Sequence, residues 1–116
     1  MTPKEFAEYI KNEVILDLAN NHETILGMQP RDISDSTWKK IVEASNTMSQ
    51  LQKEAMQLYA MQAMIDVATN ILGILDGTCI LSNHREDFAL MYGENAEEIN
   101  GNLQDYFLNL IQEQDT

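Results

Sequence analysis

Apolar side chains return every three or four residues through most of this chain, which is the spacing of a helix with one buried face. The longest such stretch runs from Asp32 to Leu72 and contains no glycine or proline. This pattern predicts one long helix over residues 36 to 76, with Gly77 as its C-terminal stop. The positions that form its stripe are Ile41, Ala44, Met48, Leu51, Ala55, Leu58, Gln62, Ile65, Thr69 and Leu72.

The second half of the predicted long helix is apolar on more than one face. Between Glu54 and Asp76 its only charged residue is Asp66. A helix that is apolar nearly all round is either enclosed by other helices or spans a membrane. Polar residues such as Gln57 and Gln62 interrupt the run before it reaches the roughly twenty apolar residues that a span requires. We therefore expect the central helix of a small bundle, with no membrane association.

A short polar patch interrupts the first half of the same stretch. Ser45, Asn46, Thr47 and Ser49 all have weak helix propensity. The long helix can bend or break at this patch, although its apolar stripe continues through it. Just before the helix, Ser34, Asp35 and Ser36 each offer a side chain that can cap its first turn.

One shorter helix is predicted on each side of the long one. Thr2, followed by Pro3 and Glu5, has the form of a capped helix start, and the apolar spacing continues over residues 3 to 26. Asn95 and Glu98 repeat the capping pattern near the other end and predict a helix over residues 95 to 112. Gly101 lies inside that second prediction, where a glycine costs about 1 kcal/mol relative to alanine.

The segment between the long helix and the last one lacks helical periodicity. Residues 77 to 94 contain two short apolar runs separated by polar residues, which favours a short β-hairpin or an irregular connector. A short helix over residues 86 to 92 is the alternative. The predicted fold is therefore mainly α: a small helical bundle around one long central helix, in a single domain of residues 1 to 116.

Charge is the second strong feature of the sequence. The chain has 19 acidic and seven basic residues, a formal net charge of −12, and no lysine or arginine after Arg85. Such a surface repels phosphate backbones, so we expect no binding to nucleic acid. It favours either simple solubility or an encounter with a basic protein. The residues we expect to bind such a partner are Glu94, Glu97, Glu98 and Asp105.

Few residues in the chain suggest a chemical site. Cys79 is the single cysteine, so no internal disulfide can form, and its apolar neighbours are typical of a small core residue. The two histidines, His22 and His84, are not in a spacing that places two metal ligands on one helical face. We expect no catalytic residues, no cofactor and no metal. The first residues lack the apolar run of a secretory signal, and we expect a cytoplasmic protein.

The long helix also suggests self-association. A chain of this size has only two other substantial helices with which to cover it, and its methionines suit an adaptable surface. Asp66 requires water, a hydrogen-bonding partner or an interface if its surroundings are apolar. We therefore expect a homodimer that forms partly through this helix. The residues expected at the dimer interface or in the core are Met48, Leu51, Leu58, Ile65 and Asp66.

These patterns predict a non-enzymatic, acidic interaction protein that binds a basic protein partner. In size, helical character and acidity the chain is similar to inhibitors and immunity proteins of bacteria and phages, but no sequence motif carries that resemblance. The alternative function is a helical bundle that binds a ligand or a metal. Its site would be built from Asp66, Asp76, His22 and Glu23.

Overall fold

The computed structural model describes residues 1–79, 82 and 86–114. Within these residues the chain forms four helices and one two-stranded antiparallel hairpin, which precedes the last helix. The predicted mainly α architecture, with a long central helix and a short hairpin before the last helix, is confirmed.

The first helix, α1, follows the predicted bounds. Three helical segments succeed one another without a break: Pro3–Tyr9, the π-helical Ile10–Leu16, and Asp17–Leu26. The predicted cap is present, because the Glu5 backbone N–H donates to the Thr2 hydroxyl over 3.1 Å. Gly27 ends the helix at the predicted position. A single turn at Pro30–Asp32 then leads to the second helix.

The predicted single helix over residues 36 to 76 is wrong, because the structure has two helices there. Helix α2 spans Ser36–Ser45 and is capped by the Asp35 carboxylate, and helix α3 spans Gln50–Asp76. The break lies in the weak-propensity patch. There the Ser49 side chain accepts from the Gln52 backbone N–H, and the Gln52 side chain accepts from the Ser49 backbone N–H. This capping box starts a new helix, since the caps satisfy backbone groups that a continuous helix would pair internally.

The last part of the chain starts its helix later than predicted. Strand β1, Met91–Tyr92, pairs with strand β2, Glu97–Glu98, and helix α4 spans Leu103–Gln114. The predicted start of α4 at Asn95 is therefore wrong. Asn95 and Glu98, which were predicted to cap it, lie in the hairpin. Gly101, with φ of +129°, precedes the helix. Residues 86 to 90 are not helical, and residues 80, 81 and 83–85 of the predicted connector lie outside the described residues.

The buried core lies at one end of the long helix. It joins α1, the second half of α3 and α4, and its fully or nearly fully buried members are Ala7, Ile15, Leu72, Leu103, Phe107 and Leu110. Gly77 ends α3 in the left-handed conformation, with φ of +83°, as its sequence position predicted. The first half of α3 contributes no buried residue to this core.

The chain is unusually open for its length. Its radius of gyration is 17.7 Å, whereas a compact domain of this length has a radius of about 13 Å. Its accessible surface is 8346 Å², whereas a compact monomer of the same mass exposes about 6,400 Å². A large part of the apolar side-chain surface has therefore not been covered by folding.

Candidate interaction surfaces

A wide groove separates the first half of α3 from the second half of α1 and from α2. Its volume is about 920 Å³. We call it the three-helix groove. Its apolar walls include Leu16, Ala19 and Leu26 from α1, Trp38 and Ile41 from α2, and Leu58, Met61 and Met64 from α3.

The groove exists because α2 packs on α1 rather than on α3. The chain turns at Pro30–Asp32, and the Asp35 cap then directs α2 back along α1. The indole ring of Trp38 lies against the imidazole of His22, with ring centroids 4.9 Å apart and planes tilted by 60°. Trp38 is thus a half-buried contact between the two helices. The facing side of α3 is left without a neighbouring helix.

The side chains on this part of α3 are exposed to a degree that is unusual for large apolar residues. Leu51 is 76% exposed, Leu58 is 72% exposed and Tyr59 is 78% exposed. Isolated exposed apolar residues are common on protein surfaces, whereas a contiguous patch of them marks an interaction site. The walls of the three-helix groove form such a patch.

Two carboxylates lie on opposite walls of the three-helix groove. Glu23 belongs to α1 and Glu54 to α3, and both side chains are exposed. In the described part of the chain, no lysine or arginine lines the groove. An apolar floor with acidic edges suits an apolar segment that carries positive charge on its flanks.

A second apolar surface lies on the other flank of α3. It consists of Ala63, Val67 and Ile71 on α3, whose spacing of four residues keeps them on one side, together with Val14 and Leu18 of α1. We call this set the α3 stripe. Between the two helices it forms a shallow groove of about 390 Å³, and every described residue that lines that groove is apolar.

The residues predicted for the dimer interface or the core are distributed over several environments. Leu51 and Leu58 are exposed rather than in the core, Ile65 packs against the core, and Met48 is half-buried in the link before α3. Asp66 is exposed, and its carboxylate accepts a 2.9 Å hydrogen bond from the Gln62 side chain. An interface role for these residues stays a prediction.

The carboxylates predicted to bind a partner lie at the opposite end of the molecule from the three-helix groove. Glu94, Glu97 and Glu98 are on the hairpin, Asp105 is in the first turn of α4, and all four are exposed. The side chain of Asn100 links this region to the carboxyl end of α3, because it donates to the Leu75 carbonyl. Their role in binding also stays a prediction.

A network of polar side chains holds the carboxyl end of α3 against the start of α4. The Asp76 carboxylate accepts from the backbone N–H of Gly101 at 2.6 Å and from that of Gln104 at 2.7 Å. The Gln104 side chain in turn donates to the Thr69 carbonyl over 3.1 Å. Asp76 therefore caps α4 from a distant part of the sequence. Sequence spacing carries no signal for a cap of this kind.

The four residues of the alternative ligand or metal site are not brought together. Asp76 caps α4, Asp66 bonds to Gln62, and His22 contacts Trp38. Of the four, His22 and Glu23 line the three-helix groove while the two aspartates do not. Among the described residues, no three histidine, cysteine, aspartate or glutamate side chains are grouped to hold a metal ion.

Helix α3 also has the length and composition of a membrane span. Its most apolar window has a mean hydropathy of 1.4, although the central helix of a water-soluble protein often has the same properties. In this case only 11% of that window is buried. The apolar surface of α3 is thus available to another molecule.

Comparison with known proteins provides no further guide to function. No protein family model matches the chain, and neither the curated proteins nor the solved structures include a significant match. The functional argument therefore rests on the two apolar surfaces of α3 and on the charge of the molecule.

Proposed function

We propose that the protein is a non-enzymatic interaction module that binds a basic protein partner. The three-helix groove would receive an amphipathic helix whose flanks carry lysine or arginine. The observation that carries this proposal is an apolar groove of about 920 Å³ with Glu23 and Glu54 on opposite walls.

The dimensions of the groove suit a helix. Its α3 wall runs from Glu54 to Met64, which corresponds to about 15 Å or three helical turns. A helix lying along it would present apolar residues at positions i, i+3 or i+4, and i+7, as helices bound in grooves commonly do. Trp38, Tyr59 and Leu58 would supply the large contact surfaces on which such interfaces depend.

Charge would add speed and selectivity to this binding. The net charge of −12 attracts a cationic partner over long range. In this proposal the carboxylates of the hairpin and α4 steer the approach, and the two groove carboxylates contact the bound segment. Because steering acts between exposed charges, the association rate should fall as salt is added.

A synthetic helical peptide of leucine and lysine provides a direct test. Trp38 is the single tryptophan and lines the groove, so its fluorescence reports occupancy. We expect saturable binding that weakens with salt, and at least tenfold weaker binding by Leu58→Ala. The matched control is Asn70→Ala, because Asn70 is an exposed residue of α3 that does not line the groove.

Two results would overturn the proposal. One is equal binding of a peptide in which every lysine is replaced by glutamate, because charge complementarity would then have no part. The other is undiminished binding by Leu58→Ala together with no change in Trp38 emission, because the peptide would then occupy another surface.

We do not extend this proposal to catalysis or metal binding. His22 and Glu23 belong to the same groove, but Asp66 and Asp76 form hydrogen bonds elsewhere on α3. The alternative function predicted from these four residues thus has no common site to support it.

A further inference from the structure

We propose that a second copy of this chain covers the α3 stripe, so that the protein is a two-fold symmetric dimer. This inference goes beyond the proposed partner binding and uses a different flank of α3. The three-helix groove remains open in each subunit. Failure of either proposal therefore leaves the other intact.

The first argument is the area that folding leaves exposed. The accessible surface of 8346 Å² exceeds that of a compact monomer of equal mass by roughly 1,900 Å². Permanent homodimers remove on the order of 1,000 to 2,500 Å² from each partner. The excess over the whole molecule is therefore of the size that a stable dimer buries.

The second argument is the absence of charge on the stripe. Val67 is 59% exposed, Ile71 is 53% exposed, and Val14 and Leu18 beside them are more than a third exposed. Because each copy carries a net charge of −12, two copies can associate closely only through a face that brings no carboxylates together. A basic partner would gain nothing from such a face. A second copy gains burial of apolar area without like-charge repulsion.

The third argument is the order of residues along the stripe. From Ala63 to Ile71 the stripe is about 12 Å long on α3, and Val67 lies at its midpoint. In an antiparallel pair of α3 helices related by a two-fold axis at this midpoint, Ala63 faces Ile71 and Val67 faces its own copy. The small Ala63 would then meet the larger Ile71, which would allow a close approach of the helices. A surface that is complementary to itself in this way is what two-fold symmetry requires.

A lipid bilayer fits the stripe less well than a second copy does. Asp66 and Gln62 are exposed on the same helix, at least a quarter-turn around its axis from Val67. Insertion of α3 into a bilayer would take the Asp66 carboxylate out of water, which is energetically costly. A dimer through the stripe leaves that polar face in solvent.

Sedimentation equilibrium on the full chain at micromolar concentration tests the proposal. We expect a dimer for the wild type and at least a hundredfold larger dissociation constant for Val67→Glu, because a carboxylate would be buried at the interface. The matched control is Leu58→Glu, which places the same charge on the other flank of α3 and should remain dimeric. A monomeric wild type, or a Val67→Glu variant as dimeric as the wild type, would overturn the proposal.

Cross-linking provides a second measurement that does not depend on a disruptive substitution. In a Cys79→Ser background, Val67→Cys should react with itself through a short thiol cross-linker at least tenfold faster than Gln62→Cys, whose residue lies on the polar face. Equal rates would show that the dimer axis does not pass near Val67 and would overturn the proposed interface. Binding of the wild type to neutral lipid vesicles that is lost in Val67→Glu would likewise overturn it, because the stripe would then bind lipid.

Discussion

The two halves of helix α3 have similar apolar composition, but only the second half has a face that is buried in the core. In the second half, Leu72 is buried against α1 and α4, and Asp76 and Thr69 take part in the polar network that holds α4. In the first half, Leu51, Leu58 and Tyr59 are exposed. Because both halves belong to one helix, apolar composition alone does not decide whether a surface serves stability or interaction. The neighbouring helices decide which apolar side chains are buried.

This division predicts that substitutions along one helix will separate into two groups. Changes at the covered end should lower the free energy of unfolding. Changes at the open end should leave that quantity nearly unchanged, since truncation of an exposed side chain creates no cavity.

The largest expected effect is at Phe107, which is fully buried where α1 and α4 meet the second half of α3. Phe107→Ala should lower the free energy of unfolding by about 3 to 5 kcal/mol, because it removes buried apolar surface and leaves a cavity. Leu58→Ala should change it by less than about 0.5 kcal/mol. Urea denaturation monitored by circular dichroism measures both values at one protein concentration. Similar losses for the two variants would contradict the division of α3 into two environments.

The next effect concerns Gly73, which α3 places directly against the polar network. A β-carbon at this position would lie 2.5 Å from the Cys79 sulfur and 2.7 Å from the Gln104 side-chain nitrogen. Gly73→Ala should therefore cost about 1 to 3 kcal/mol of stability through forced displacement, although alanine is ordinarily the better helix former.

Gly27→Ala is the matched control for this steric effect. A β-carbon at Gly27 meets only backbone oxygens at 3.5 Å and beyond, which is ordinary contact. Its φ of −86° is also accessible to alanine. Thermal unfolding should show a lower midpoint for Gly73→Ala alone. A Gly73→Ala protein that is more stable than the wild type would show that the Cys79 and Gln104 side chains move aside without a loss of stability.

A smaller effect is expected from removing the long-range cap of α4. Asp76→Ala removes the acceptor for the Gly101 and Gln104 backbone N–H groups, and a lost cap typically costs about 1 to 2 kcal/mol. Asp66→Ala, an exposed carboxylate on the same helix, should cost less than about 0.5 kcal/mol. Denaturation of the two variants side by side measures the difference. Equal stabilities would mean that Asp76 does not hold α4 in solution.

The features predictable from sequence were those determined by neighbouring residues. The Thr2 cap, the Asp35 cap and the Gly77 stop each depend on a few adjacent residues, and each is present in the structure. The capping box of Ser49 and Gln52 was equally local. It was missed because the apolar stripe stays in phase across the break, so periodicity alone favoured a continuous helix.

Long-range contacts were not predictable in the same way. Asn95 and Glu98 match a capping pattern, yet the cap of α4 comes from Asp76, more than twenty residues earlier. The three-helix groove depends on where α2 packs, which the periodicity of α3 does not specify. Sequence therefore identified which faces of α3 are apolar, but could not show which of them remain uncovered.

The smallest effect should arise at the start of the open half of α3. Ser49→Ala removes one hydrogen bond of the capping box, the bond that the Gln52 backbone N–H donates to the Ser49 hydroxyl. Because the first turns of this half contribute no buried residue to the core, they can fray without unfolding the rest of the protein. We expect faster amide hydrogen exchange over residues 50 to 56, with a change of less than about 0.5 kcal/mol in global stability.

The exposed Ser34, which lies outside any helix, provides the control substitution Ser34→Ala, and its exchange should match the wild type. If Ser49→Ala lowered the global free energy of unfolding as much as Asp76→Ala does, both ends of α3 would have to unfold together. The open half would then belong to the cooperative core, and its apolar surface would have to be covered in solution even without a partner.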